Sequence, residues 1–140
     1  EIAVEHIAGL HPAPKIDVSA VPSAVYSDPQ VAGFGLTEEM AKEREIPYRK
    51  AVCSYRGAGK AVADGIGDGL FKVIADPEGK HILGAHIAGT AASELIHELL
   101  LAKTSGLAPS DVFRVVHAHP TLAELTGELM RAVVRQETRE

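Results

Sequence analysis

Apolar positions fall into short β-like runs in the first half of the chain and into helical stripes in the second. EIAVEHIAG has apolar residues at 2, 3, 4, 7 and 8 and then Gly9, the pattern of a helix's last turns stopped by glycine. A connector punctuated by Pro12, Pro14 and Pro22 follows. AVYSDPQVAGFGLT predicts a short strand, a turn at Asp28-Pro29 and a second strand. Thr37 is placed to cap a short acidic helix from Glu38 to Glu45, stopped before Pro47. YRKAVCSY alternates as a strand does, and RGAGKAVADGIGDG reads as a Gly-rich mobile loop. LFKVIADPEGKHILGAHIAG is the clearest hairpin: two β-rich runs around Asp76-Pro77-Glu78-Gly79.

The period then changes. In TAASELIHELLLAKTSG, Leu95, Leu99 and Ala102 share one helix face, Ile96 and Leu100 flank it, and Gly106 marks the stop. PSDVFRVV predicts a short helix with Pro109 near its start. Leu122, Leu125, Leu129 and Val133 form the stripe of a last helix. Strands that come mostly as hairpins, ahead of the helices, predict an α+β fold with an antiparallel β-sheet flanked by helices. Leu and Ile on more than one side of SELIHELLLAK fit burial against something beyond its own sheet; a compact core that uses them all is the alternative.

Composition narrows the partners. The chain has 140 residues, enough for one domain with a real core, 46% of them hydrophobic and none of them Trp. A net charge of −5 with no basic stripe argues against nucleic acid. No apolar run approaches the roughly 18 residues of a membrane span. The N-terminus lacks the basic and apolar regions of a signal peptide, and it lacks Met, which suggests a fragment or a processed chain. The one cysteine, Cys53, excludes an internal disulfide or a Cys-x-x-Cys pair, and its β-rich setting reads as structural.

The candidate chemistry sits in HAHPTLAE, His117 to Glu124. Thr121-x-x-Glu124 is a capping box in pattern, the Thr hydroxyl taking the amide of residue 124 and the Glu reaching back to the amide of 121. Pro120 pushes His119 to an extended conformation, which would point His117 and His119 the same way. A metal reading would pair them with His86, His97 or an acid, but His97-Glu98 is followed by Leu101 where a His-Glu-x-x-His site needs histidine. An acid/base reading uses the lean of the Glu124 side chain toward the helix N-terminus, within reach of the His119 ring. The carboxylate would fix the tautomer and raise the basicity of the outward nitrogen. No nucleophile accompanies the pair, so on these residues alone the three readings stand side by side.

HAHPTLAE resembles the C-terminal signature of dihydrolipoamide dehydrogenase, the flavoenzyme of the 2-oxo acid dehydrogenase complexes. The resemblance runs in order along almost the whole chain. PSAVYSDPQVAGFGLTEEMAKE is similar to that family's Ile-Pro-x-Val-x-Tyr-Thr-x-Pro-Glu-Val-Ala-x-Val-Gly-Leu-Thr-Glu stretch. DGLFKVIADPEGKHILGAHIAGTAASELIHEL is similar to its Gly-Phe-x-Lys-Val hairpin, its Ile-Leu-Gly-x-His strand and the helix after it, and AVEHIAG to the helix leading in. Glutathione reductase matches less well around residues 115–119, and mercuric reductase carries a C-terminal cysteine pair absent here. The alternatives are the same domain of such another flavin disulfide reductase, or a non-catalytic binding module.

The resemblance implies the disulfide-reductase interface-domain fold, with residues 1–14 the end of a preceding helix and linker and residues 15–140 the dimerisation domain. It implies that His119 is the base and Glu124 its carboxylate partner, that the pair acts across a homodimer interface, and that His119 and Pro120 lie near the FAD of the partner subunit, with a cis His119-Pro120 bond. Asp111 and Arg114 match positions near that interface, and a solvated pair is the other reading. The intact enzyme would use FAD and NAD, reside in the bacterial cytoplasm or the mitochondrial matrix, and join a 2-oxo acid dehydrogenase complex. No Gly-x-Gly-x-x-Gly follows a strand here, and no redox cysteine pair is present. The chain alone is therefore expected to bind neither cofactor, to hold no metal and to be inactive. RGAGKAVADGIG departs from the family's usual Asn-Gly-Arg-Ala segment, with Lys60 where Arg is common.

Overall fold

The computed structural model describes residues 1–11 and 16–135. Pro12, Pro14 and the expected boundary between residues 14 and 15 lie outside the described residues. Helix α1 (Ile2–Ile7) ends before Gly9, as the apolar pattern indicates. Strands β1 (Ser23–Val25) and β2 (Val31–Gly35) flank Asp28-Pro29, whose peptide bond is cis. Thr37 caps α2 (Glu38–Glu43), its hydroxyl accepting from the Met40 amide at 3.1 Å. This helix stops two residues short of the expected Glu45, because Glu45 turns to a positive φ of 53°.

After β3 (Arg49–Ser54) the structure departs from the expected loop. The Gly-rich stretch holds a 3-10 turn at Tyr55–Gly57 and a short helix, α3 (Gly59–Ala63). Ala58 and Ala61 are buried in the core there, and that tertiary packing outweighs the weak local signal of a segment rich in glycine. The hairpin is as read: β4 (Leu70–Ala75) and β5 (Ile82–Ala88) joined through Asp76 to Gly79. Helices α4 (Ala92–Thr104), α5 (Pro109–Phe113) and α6 (Glu124–Arg135) complete the chain.

The five strands form one antiparallel sheet in the order β1-β2-β5-β4-β3. Its register puts Ala51, Val73, Ala85 and Phe34 in one row, and Cys53, Phe71, Ile87 and Ala32 in the next. Side chains two apart on a strand share a face, so both rows look to the same side. Helix α4 packs on that side over β5 and β2, and α6 over β3 and β4. Ile96 and Leu99 of α4 meet Leu125, Leu129, Met130 and Val133 of α6 in the same core. The expected α+β architecture is what the chain adopts. Because α6 is clamped to the sheet by this apolar stripe, the position of its first turn is fixed, and the candidate residues His119 and Glu124 sit at that turn.

Candidate functional site: the His119–Glu124 bend

Helix α6 begins at Glu124, three residues after Thr121, with Leu122 and Ala123 in a turn whose carbonyls take the amides of Leu125 and Thr126. Only half of the expected capping box forms. Glu124 Oε2 accepts from the Thr121 amide at 2.9 Å, but the Thr121 hydroxyl donates to the Ala118 carbonyl at 2.6 Å instead of serving the amide of 124. The hydroxyl thereby ties the two sides of the bend together across His119 and Pro120. The bond between those two residues is cis.

The other Glu124 oxygen, Oε1, lies 2.9 Å from His119 Nδ1. A carboxylate can only accept, so the ring donates from Nδ1 and its Nε2 keeps the lone pair. The Thr121 amide and the His119 ring hold the Glu124 carboxyl below its ordinary range, the amide contributing most. Glu124 therefore stays ionised at neutral pH. The His119 side chain is 76% exposed and that of Glu124 30%. Glu124 thus holds the ring through Nδ1 while most of the His119 side chain opens onto the surface.

His117 and His119 do not point the same way, contrary to the reading of this segment as extended. The chain bends at residues 119–120, and His117 turns inward to place Nε2 2.8 Å from Glu98 Oε1 on α4. Its side chain is only 10% exposed. Among the described residues no three His, Cys, Asp or Glu side chains gather as metal ligands. His86 lies on β5 opposite Gly33 and Lys72, on the sheet face away from Ala85 and Ile87, with its Nδ1 buried and lacking a hydrogen-bond partner. Glu98 is the functional candidate that sequence reasoning passed over. The zinc motif it fails to complete gives it no local role, and its partner lies 19 residues on.

The remaining sequence candidates have ordinary surroundings. Cys53 is half-buried on β3, and burial pushes its thiol up to about 11, well away from a reactive thiolate. Asp111 caps its own helix by accepting from the Ala108 amide at 2.9 Å, and Arg114 lies 3.7 Å away on the surface. Lys60 pairs with Asp64 one helical turn on, at 2.8 Å. Leu101 on α4 and Val115 and Val116 before the bend are large apolar side chains left facing outward. No described helix is long and apolar enough to cross a membrane.

An antiparallel sheet covered on one side by two helices carries an exposed histidine–carboxylate pair at its C-terminal bend, and Val115 and Val116 just before the bend are left exposed. The chain belongs to the pyridine nucleotide-disulphide oxidoreductase dimerisation-domain family, whose sequence pattern matches residues 21–130. It is 41% identical over 127 residues to the dihydrolipoyl dehydrogenase of Bacillus subtilis (strain 168), covering 91% of this chain and 27% of that protein. It is 43% identical over 117 residues to the mitochondrial dihydrolipoyl dehydrogenase of Schizosaccharomyces pombe, covering 84% of this chain and 23% of the relative. The chain thus spans about a quarter of the length of the curated relatives it matches. Among solved structures, LpdA from Mycobacterium tuberculosis superposes with a TM-score of 0.84 at 20% identity, over 94% of this chain and 28% of that one, which speaks to the fold.

Proposed function

We propose that this chain is the dimerisation domain of a dihydrolipoyl dehydrogenase and that it supplies the His119–Glu124 base to the partner subunit's active site. The reading treats residues 1–14 as the end of a preceding helix and linker, and residues 15–140 as the domain itself. The intact enzyme would oxidise dihydrolipoamide to lipoamide and reduce NAD⁺ through FAD and a redox disulfide. It would act as a homodimer serving a 2-oxo acid dehydrogenase complex, in a bacterial cytoplasm or a mitochondrial matrix. The observation that carries the proposal is the ring of His119, oriented through Nδ1 by an ionised Glu124 while Nε2 faces outward.

The residues of this chain fit a border to a flavin, not a cradle for one. His119 and Pro120 are both exposed at the bend and so are available to a group held by another subunit. The Gly57-Ala58-Gly59 stretch leads from a 3-10 turn into α3 and offers no strand-to-helix phosphate loop. Bound FAD would supply electron transfer between the dithiol and the nicotinamide. What His119 contributes is proton transfer. Its Nε2 takes the proton of a dihydrolipoamide thiol as the sulfur attacks a disulfide sulfur, and the displaced sulfur leaves as a thiolate. Glu124 holds the Nδ1–H tautomer and stabilises the imidazolium that forms. The Thr121 amide keeps Glu124 from taking that proton itself.

The test is His119→Gln in the full-length protein. General-base work contributes about 10²- to 10⁴-fold, so dihydrolipoamide turnover should fall by at least that lower figure with flavin content unchanged. Near-normal turnover would refute the assignment.

A further inference from the structure

His117 and Glu98 form a second histidine–carboxylate pair, and the base does not use it directly. Glu98 belongs to α4, and His117 lies two residues before His119. The Glu98 carboxylate accepts from Nε2 at 2.8 Å, which leaves Nδ1 on the other side of the ring. That side faces α6 at Gly127, where an added Cβ would lie 3.3 Å from His117 Nδ1. Glycine at 127 therefore gives the ring its seat. Gly127 is three residues beyond Glu124, on the same face of the helix. The ring is held between two helices, directly under the turn that carries the Glu124 carboxylate.

His117 and Glu124 also line one cleft of about 150 Å³, together with Gly127, Glu128, Arg131 and Phe113. The cleft's charged and titratable lining is His117 and, from α6, Glu124, Glu128 and Arg131, with α5 adding the Phe113 ring; Glu98 of α4 meets His117, and His119 meets Glu124. Arg131 is engaged by Glu128 at 3.3 Å and stacks 5.4 Å over that ring, so the group left to act on Glu124 from this side is His117. Enclosing a histidine–glutamate pair yields little net stability, since desolvation offsets the attraction. Its value is geometric.

We infer that His117, pinned by Glu98, is a positioning residue for the His119–Glu124 base: it fixes the bend onto α4 and α6. The inference rests on the function proposed above. Loss of the His117 ring would free the bend that aims His119 and remove a favourable neighbour of Glu124. The Glu124 carboxylate, losing a neighbour that helps to hold it ionised, takes up a proton at higher pH.

The experiment compares His117→Asn, Glu98→Ala, Glu98→Gln and His119→Gln in the full-length protein. It reads the pH dependence of kcat for dihydrolipoamide oxidation and the KM for NAD⁺. His117→Asn and Glu98→Ala should each lower kcat on the order of tenfold, as misplacement of a reacting group does. They should move the acid limb of the profile to higher pH and leave the NAD⁺ KM alone. Glu98→Gln keeps an acceptor for the ring and should restore most of the rate. Glu98 is one-third exposed, so its variants fold and decide the question even where His117→Asn does not. If both Glu98 variants and His117→Asn keep the parent profile and lose only thermal stability, while His119→Gln is inactive, the inference fails and the base assignment stands. Turnover that survives His119→Gln overturns the base assignment, and this inference falls with it.

Discussion

His119 and Glu124 meet at 2.9 Å across a bend, and Glu124 serves it with both oxygens, one to the ring and one to the Thr121 amide. A glutamine at 124 has a single acceptor oxygen and no charge. With that oxygen on the Thr121 amide, its NH2 faces His119 Nδ1 as a donor, which forces the ring proton onto Nε2, the wrong tautomer for a base. Glu124→Gln in the full-length protein should lower dihydrolipoamide turnover roughly 10- to 100-fold, less than His119→Gln does. Steady-state kinetics on both variants checks the order; a Glu124→Gln enzyme with parental turnover would leave the carboxylate without a role.

Tyr55 is fully buried and its hydroxyl donates to the Thr90 carbonyl at 2.9 Å. Gly69 and Gly89 crowd its ring: a Cβ on either would come within 2.7 Å of it. Gly89 also has a φ of +154°, a conformation that side chains rarely adopt. Gly69→Ala should destabilise the domain by about 1–3 kcal/mol through overpacking. Tyr55→Phe, which only orphans the carbonyl, should cost about 1 kcal/mol. Urea denaturation measures both, and an unchanged midpoint for Gly69→Ala would contradict the packing described.

Glu38 in the first turn of α2 bridges Lys50 at 2.8 Å and Lys72 at 2.9 Å. Those two hydrogen bonds pull its pKa from 4.5 down to about 2. The folded value lies below the unfolded one, so the stabilisation is complete above about pH 4.5 and disappears as pH falls through 2. Pairs of this kind at the surface are worth little, so the effect is small. Thermal melts between pH 5 and 2 should show Glu38→Gln losing less stability on acidification than the parent. Parallel curves would mean that the bridge contributes nothing.

The sequence showed best what is local. Asp76 to Gly79 between two β-rich runs specified the β4–β5 hairpin, and the stripe through Leu125, Leu129 and Val133 specified the buried face of α6. The nearness of His119 and Glu124 was legible because only five residues separate them. What failed was non-local. Ala58 and Ala61 carry too little apolar surface to mark a helix, and only the core they join makes α3. His117 turns inward because Glu98 waits on another helix, and no local rule about the residue before a proline could show that. The Thr121 hydroxyl likewise had two partners open to it, and the bend chose the Ala118 carbonyl.

The central claim is that the base in this chain serves the other subunit. It is tested by a mixed dimer of the full-length protein, one subunit carrying His119→Gln and the other lacking its redox cysteines. Each homodimer should be inactive. In the mixed dimer the intact cysteines of the first subunit face the intact His119 of the second, so one whole site is rebuilt and about half the parental activity should return. A mixed dimer as inactive as the two homodimers would show that His119 works within its own subunit, or not at all.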